Sequence, residues 1–354
     1  MRRVYLSLRY LLVLSLLLTF FSCEHRELTE PQNTHYVRVY LDEEIKNVTC
    51  GFYNESCEKP EYERPSVLRA ILANPQTGEI VSERMLRNHG EDERGHYIDG
   101  YMAAPVGTYN FMVYEFGSSI TLIKDEHNFY EITAYTNPIG DNLLQYLPAT
   151  RNEVDEDNIA TAPEHLFHYA QKGLVVPFSK EIDTLRDNNG NYFTACSIVK
   201  SYYIQVNVKG FEYISSAVSL LNGVAGSVLM HTPDEYCAED SVHVFFGMNY
   251  IGKRQAKVGI TTVATLYATF NTFGKIDNIP SVYTLNFEFT KSDGTSQVEK
   301  IDITHLFETE IVKENRWIIL DYEIEIVPPD GENNGGGMKP GVEGWKDIEA
   351  EITM

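Results

Sequence analysis

The sequence predicts a mainly β protein built from antiparallel sandwiches, on three observations. Apolar and polar residues alternate with period two in many segments, as half-buried strands require. Clusters of turn residues, such as Asn74-Pro75-Gln76-Thr77-Gly78 and Ser292-Asp293-Gly294-Thr295, separate those segments. Tyr, at 23, outnumbers Phe at 17 and Trp at 2, a composition that suits strands better than helices.

The elements follow in chain order. Val37, Val39 and Leu41 alternate with Tyr36, Arg38 and Tyr40, giving a first strand from about residue 36. Further strands are expected over 66–73, 79–86, 107–115, 200–208, 213–221, 241–247, 282–290 and 297–303. In Val258–Phe270, Val258, Ile260, Ala264, Leu266, Ala268 and Phe270 share one face. Leu320, Tyr322, Ile324 and Ile326 alternate with Asp321, Glu323 and Glu325. Only 163–172 and 305–314 read as short helices. Pro328-Pro329-Asp330 through Gly335-Gly336-Gly337 stops any strand and reads as a hinge over 330–341. Beyond it Ile348, Ala350, Ile352 and Met354 alternate with acids and Thr353, so 346–354 reads as a last strand that closes its own domain or pairs with another chain.

A chain of 354 residues exceeds what one core usually supports, so two domains are expected. The polar run Asp187-Asn188-Asn189-Gly190 lies in the break between them, giving an N-terminal sandwich over 36–185 and a C-terminal one over 192–354. With 29 Lys+Arg against 51 Asp+Glu, the formal charge is -22 and no basic stripe offsets it, which excludes nucleic acid as a natural partner.

Residues 1–22 read as a secretory signal peptide: Arg2, Arg3 and Arg9 precede the apolar run Leu11–Phe21. That run is too short to span a bilayer, which takes about 20 residues. Ser22-Cys23 follows it and resembles the lipobox of bacterial lipoproteins, where cleavage before the Cys frees a thiol that carries diacylglycerol. Cys23 is therefore the expected lipidation site, 23–35 a lipidated tether, and the body a soluble one held at a membrane by acyl chains. Four cysteines remain. An exported chain meets oxidising conditions, and the seven-residue spacing of Cys50 and Cys57 suits a local disulfide; a Cys196–Cys237 bridge is the other pairing considered.

Catalytic residues, cofactors and metals are not indicated. No G-x-S-x-G, P-loop or H-E-x-x-H occurs. His165 and His168 could share a helix face, but without a third ligand they read as packing or surface histidines. Asp187–Asn191 has its Gly too early for an EF-hand loop and reads as a turn. No enzyme activity is expected.

Several segments together resemble fimbrillin-like and fimbrium anchor lipoproteins of Bacteroidales. These are the start Ser22-Cys23-Glu24-His25-Arg26-Glu27-Leu28, the P-x-G-x-Y strand start Pro105-Val106-Gly107-Thr108-Tyr109, Tyr203–Val208 with Val218–Ser227, Thr269–Gly274, and the final Gly344-Trp345 segment. The resemblance implies two tandem transthyretin-like sandwiches and a place in type V-style fimbriae at the outer-membrane surface, with other fimbrial subunits as partners through strand complementation. Stalk subunits of that family lose an N-terminal strand by cleavage after an Arg. Here Arg38 lies within a predicted strand and Arg64 precedes Pro65, which favours an uncleaved anchor. Two other readings stay open. One is a glycan-binding surface lipoprotein, marked by exposed Trp or Tyr platforms. The other is an adhesive tip or accessory subunit with a host protein or glycan as partner, with which the irregular stretch 137–162 is compatible.

Overall fold

The computed structural model describes residues 33–42, 63–150, 158–232, 241–250, 256–258, 261–276 and 282–329. The first half carries β1 (Thr34–Leu41), β2 (Leu68–Ala73), β3 (Ile80–Leu86), β4 (Asn88–Asp92), β5 (Gly95–Ala103), β6 (Gly107–Glu115), β7 (Thr121–Lys124), β8 (Thr133–Thr136), the one-turn helix α1 (Asp141–Leu144), β9 (Ile159–Thr161), β10 (Phe167–Val176), β11 (Asp183–Thr184) and β12 (Phe193–Ser197). The second half carries β13 (Lys200–Lys209), β14 (Ile214–Ala225), β15 (Ser227–Leu229), β16 (Ser241–Gly247), β17 (Asn249–Tyr250), β18 (Ala256–Val258), β19 (Thr261–Thr272), β20 (Thr284–Lys291), β21 (Ser296–Asp302), α2 (Glu310–Asn315) and β22 (Trp317–Glu325).

The strands expected from alternation are present within a few residues of their predicted limits, except that Val258 lies on a separate strand, β18, paired antiparallel with β19 opposite Thr261, and the fold is mainly β. Leu320, Ile324 and Ile326 are buried while Asp321, Glu323 and Glu325 are exposed, as the pattern of β22 demands. Two expectations change. The segment 163–172 leads into a strand, β10, rather than a helix. Leu166, Phe167 and Ala170 mimic helical spacing, yet Leu166 and Phe167 enter opposite apolar clusters, as neighbours on a strand must. The sheets are also mixed rather than purely antiparallel: β1 runs parallel to β11 and β12, β9 to β16, and β22 to β13.

In the first half nine strands form one sheet, ordered β3-β2-β6-β10-β12-β1-β5-β4 with β11 beside β1. The sheet rolls back on itself, so that Ser82 of β3 donates its hydroxyl hydrogen to the Ala103 carbonyl of β5. Val37, Val39, Leu72, Ile98, Phe111 and Phe193 fill the interior. In the second half two sheets, β17-β19-β13-β22 and β21-β20-β14-β16-β9, enclose Ile204, Val206, Leu266 and Ile318 from one face and Leu221, Leu285, Phe287 and Phe289 from the other.

The halves exchange strands. β9 joins the second-half sheet beside β16, and β15 joins β8 and β7 of the first half. A shared cluster places Ile71, Met112, Tyr114 and Phe129 against Val228, Met230 and Phe273.

Candidate subunit-docking surfaces

β1 is seated between two neighbours along its length. It pairs antiparallel with β5, from Thr34 opposite Ala103 to Tyr40 opposite Tyr97. On its other side it meets β11 and then β12, with Val39 opposite Phe193 and Leu41 opposite Ala195. The Leu185 and Asp42 amides extend this pairing by donating to the Tyr36 and Ala195 carbonyls, both at 2.8 Å. Val37 and Val39 have no exposed surface. β1 therefore satisfies two backbone edges and fills a core slot, as a complementing strand does in β-augmentation.

Its outward face locks it further. Arg38 pairs with Asp92 at 3.0 Å and Asp99 at 3.8 Å, and its guanidinium sits 3.8 Å from the Tyr97 ring centroid. The Tyr40 hydroxyl donates to Asp92 at 2.7 Å, and the Tyr36 hydroxyl donates to Asp99. Burial, with the bond to Asp99, pushes the Tyr36 hydroxyl up to about 12. The peptide bond after Arg38 lies inside a paired ladder, where a protease cannot seat it in extended, unpaired form. Arg64 is exposed but directly precedes the buried Pro65.

β22 contrasts with β1. Among the described residues it ends its sheet and pairs only with β13. The side-chain amide of Gln297 covers one end, donating to the Glu325 carbonyl and accepting from the Val327 amide, both at 2.9 Å. Exposed Asp321, Glu323 and Glu325 give the rest an acidic rim, one of the devices that discourage casual edge pairing. The hinge 330–341 and the expected strand 346–354 lie outside the described residues.

The stretch 137–162 is fixed where it is described. Ile139, Leu143, Leu147 and Ile159 pack on Val218, Leu220 and Phe245 of β14 and β16. Glu288 of β20 is fully buried, and its two carboxylate oxygens accept the Ala149 and Thr150 amides at 2.9 Å each. A lone Glu in an apolar strand gave no sequence signal for this role, because its partners are backbone amides some 140 residues away.

The remaining sequence candidates separate. Cys23, Cys50, Cys57 and Cys237 lie outside the described residues; Cys196 is exposed on β12, opposite His168. His168 is buried on β10, and His165 just before it holds the Ser197 and Ser201 hydroxyls at 2.9 and 3.0 Å. Burial lowers both imidazoles, to about 4 for His165, where Arg316 contributes, and about 3 for His168. Glu115 next to them is raised to about 7, chiefly by burial. The Asp187–Asn191 run is a turn, with Asp187 Oδ1 accepting the Asn189 and Asn191 amides at 2.9 and 2.6 Å. Among the described residues no group of three or more His, Cys, Asp or Glu is placed to hold a metal, and no helix is long and apolar enough to cross a membrane. Trp317 is buried, and Trp345 lies outside the described residues.

Comparison with known proteins gives this arrangement a context. A Bacteroides ovatus protein provisionally named fimbrium anchoring subunit Fim4B is 22% identical over 276 residues, covering 70% of this chain and 74% of that one. The chain resembles Bacteroidales fimbrial proteins. A crystal structure of a Bacteroides ovatus protein, provisionally described as an adhesin, superposes with a TM-score of 0.57 at 20% identity, covering 87% of this chain and 98% of that one, and so shares the fold. The fimbrial anchor protein Mfa2 from Porphyromonas gingivalis matches more distantly, at 14% identity and a TM-score of 0.43 over 81% of this chain and 89% of that one. A family model described as a domain of unknown function (DUF5119) matches residues 86–247, a span that contains both exchanged strands.

Proposed function

We propose that this protein is a fimbrial subunit of the cell envelope and, within that class, a basal anchor. The observation that carries the reading is the seating of β1: the first strand is paired on both edges, and the bond after Arg38 is held inside the ladder. A subunit that keeps this strand keeps the tether before it. Residues 1–22 then act as the signal peptide and Cys23 as the acylated N-terminus in the outer membrane. The name of the Bacteroides ovatus relative agrees with an anchoring role.

The fibre would join at an edge, and β22 is the candidate. A partner strand laid along β22 extends the ladder, with alternate side chains choosing the partner. Residues 346–354, behind the hinge 330–341, are the strand of this chain suited to be given or returned there. The two domains proposed, 36–185 and 192–354, would act as one unit, because β9 and β15 cross between them and β12, which lies past the proposed boundary, belongs to the first sheet. The experiment is a Cys23→Ala replacement in cells that make the fibre. Shedding of intact fibres into the medium, with the variant folded, is the expected result. Fibres that stay cell-bound at wild-type levels would contradict an anchoring role.

A further inference from the structure

Three elements build a pocket of about 340 Å³ at one end of the rolled sheet. The end of β1 contributes Tyr40 and Asp42, the β4–β5 hairpin contributes Arg94, and the turn before β12 contributes Asn191 and Tyr192, with Thr194 on β12 itself. The frame is rigid. Asp92 and Gly95 pair across a two-residue hairpin, Gly95 takes a φ of 114°, and Asp92 Oδ1 accepts the Arg94 amide at 3.0 Å. The Asp187 carboxylate closes the turn that presents Asn191.

The lining carries one cation, Arg94, and one carboxylate, Asp42, while Arg186 stands outside it behind Tyr192. Arg94 lies 5.3 Å from the Tyr192 ring centroid and Arg186 lies 4.0 Å from it. Among the described residues neither guanidinium has a carboxylate within ion-pair distance, whereas Arg38 close by has two. A guanidinium positioned by a ring instead of a carboxylate keeps its planar fork for an incoming anion. The remaining wall is amide, hydroxyl, carboxylate and aromatic, which is donor and acceptor chemistry matched to a hydroxylated ring. The volume far exceeds that of a bare phosphate or acetate. A peptide strand is disfavoured, because the hairpin and the β1–β12 ladder already pair the backbone here.

We propose that this pocket binds an acidic sugar unit of an oligosaccharide, with Arg94 taking the ring carboxylate and Asn191 and Thr194 taking hydroxyls. Such a site would give an envelope-anchored subunit a hold on an acidic polysaccharide independent of its fibre partners.

The test is calorimetric titration of the full chain with tetragalacturonate and a hyaluronan tetrasaccharide, against neutral maltotetraose. Saturable binding of at least one acidic probe is expected, weakening as salt is added and at least about tenfold tighter than maltotetraose. Arg94→Gln, at an exposed hairpin tip, should leave the melting temperature unchanged and weaken binding by about tenfold or more. Arg84→Gln, which lines a separate surface pocket, should leave binding unchanged. The proposal is overturned if neither acidic probe saturates, if maltotetraose binds equally, or if Arg94→Gln binds as the wild type does.

Discussion

β1 and β22 are the first and last described strands, and they solve opposite problems. β1 has a partner on each side and two valines with no exposed surface. Among the described residues β22 has one partner, an apolar inner face and an acidic outer one. Both read as simple alternation in the sequence, so alternation alone does not tell a filled slot from an open edge. What separates them is the outward chemistry. β1 carries tyrosines and an arginine that find partners on β4 and β5, whereas β22 carries three carboxylates, of which Glu325 pairs with Lys209.

That contrast can be broken from either side. The largest expected effect is Val39→Asp in β1, which buries an unpaired charge in a filled slot and should cost at least about 4 kcal/mol, enough to abolish a cooperative melt near room temperature. Glu323→Lys on the outer face of β22 is the matched control and should leave the melting temperature within about 2 °C, because exposed charges contribute little.

Glu288→Ala tests whether 137–162 is a fixed strap. The Ala149 and Thr150 amides would lose both acceptors, a loss of about 2–4 kcal/mol that chemical denaturation would read. Proteolysis of the variant should begin between 145 and 158. If both stability and proteolysis were unchanged, the strap would be held by its apolar contacts alone.

The junction near β10 predicts a smaller, pH-dependent effect. His165 and His168 fall from 6.5 to about 4 and about 3 in the fold. Between those values and 6.5 the unfolded chain binds protons that the folded chain refuses, so their contribution is full above pH 6.5 and is lost on acidification. Glu115 acts oppositely. Its rise from 4.5 to about 7 means that the fold keeps a proton which the unfolded chain releases, so stability falls as pH climbs through that window. Melting temperature should therefore peak between about pH 6 and 7. Glu115→Gln should raise stability at pH 8 by up to about 3 kcal/mol and leave it nearly unchanged at pH 4.

Much of the fold was legible because long strands with one wet face leave a period-two trace. β6 and β16 match their expected limits, and β19 and β22 bury most of the apolar set that their alternation marks. The short strands β9, β11 and β12 leave no such trace, since two to five residues cannot establish a period and their place is decided by distant partners. β10 misled because it separates two apolar clusters and is apolar toward both. The docking surfaces were partly visible: Arg38 within a strand followed from its neighbours, but the clamp of Asp92, Asp99 and Tyr97 spans some 60 residues of sequence. Arg94 and Tyr192 are far apart in the sequence and carry no pattern that links them, and only the hairpin and the turn bring them together.

The most direct measurement is the intact mass and N-terminal sequence of the protein purified from native membranes. An uncleaved anchor predicts a chain that starts at an acylated Cys23 and retains Thr34–Leu41. A lipid-free chain beginning at Val39 or Pro65, without a complete β1, would contradict it and make this a polymerising subunit.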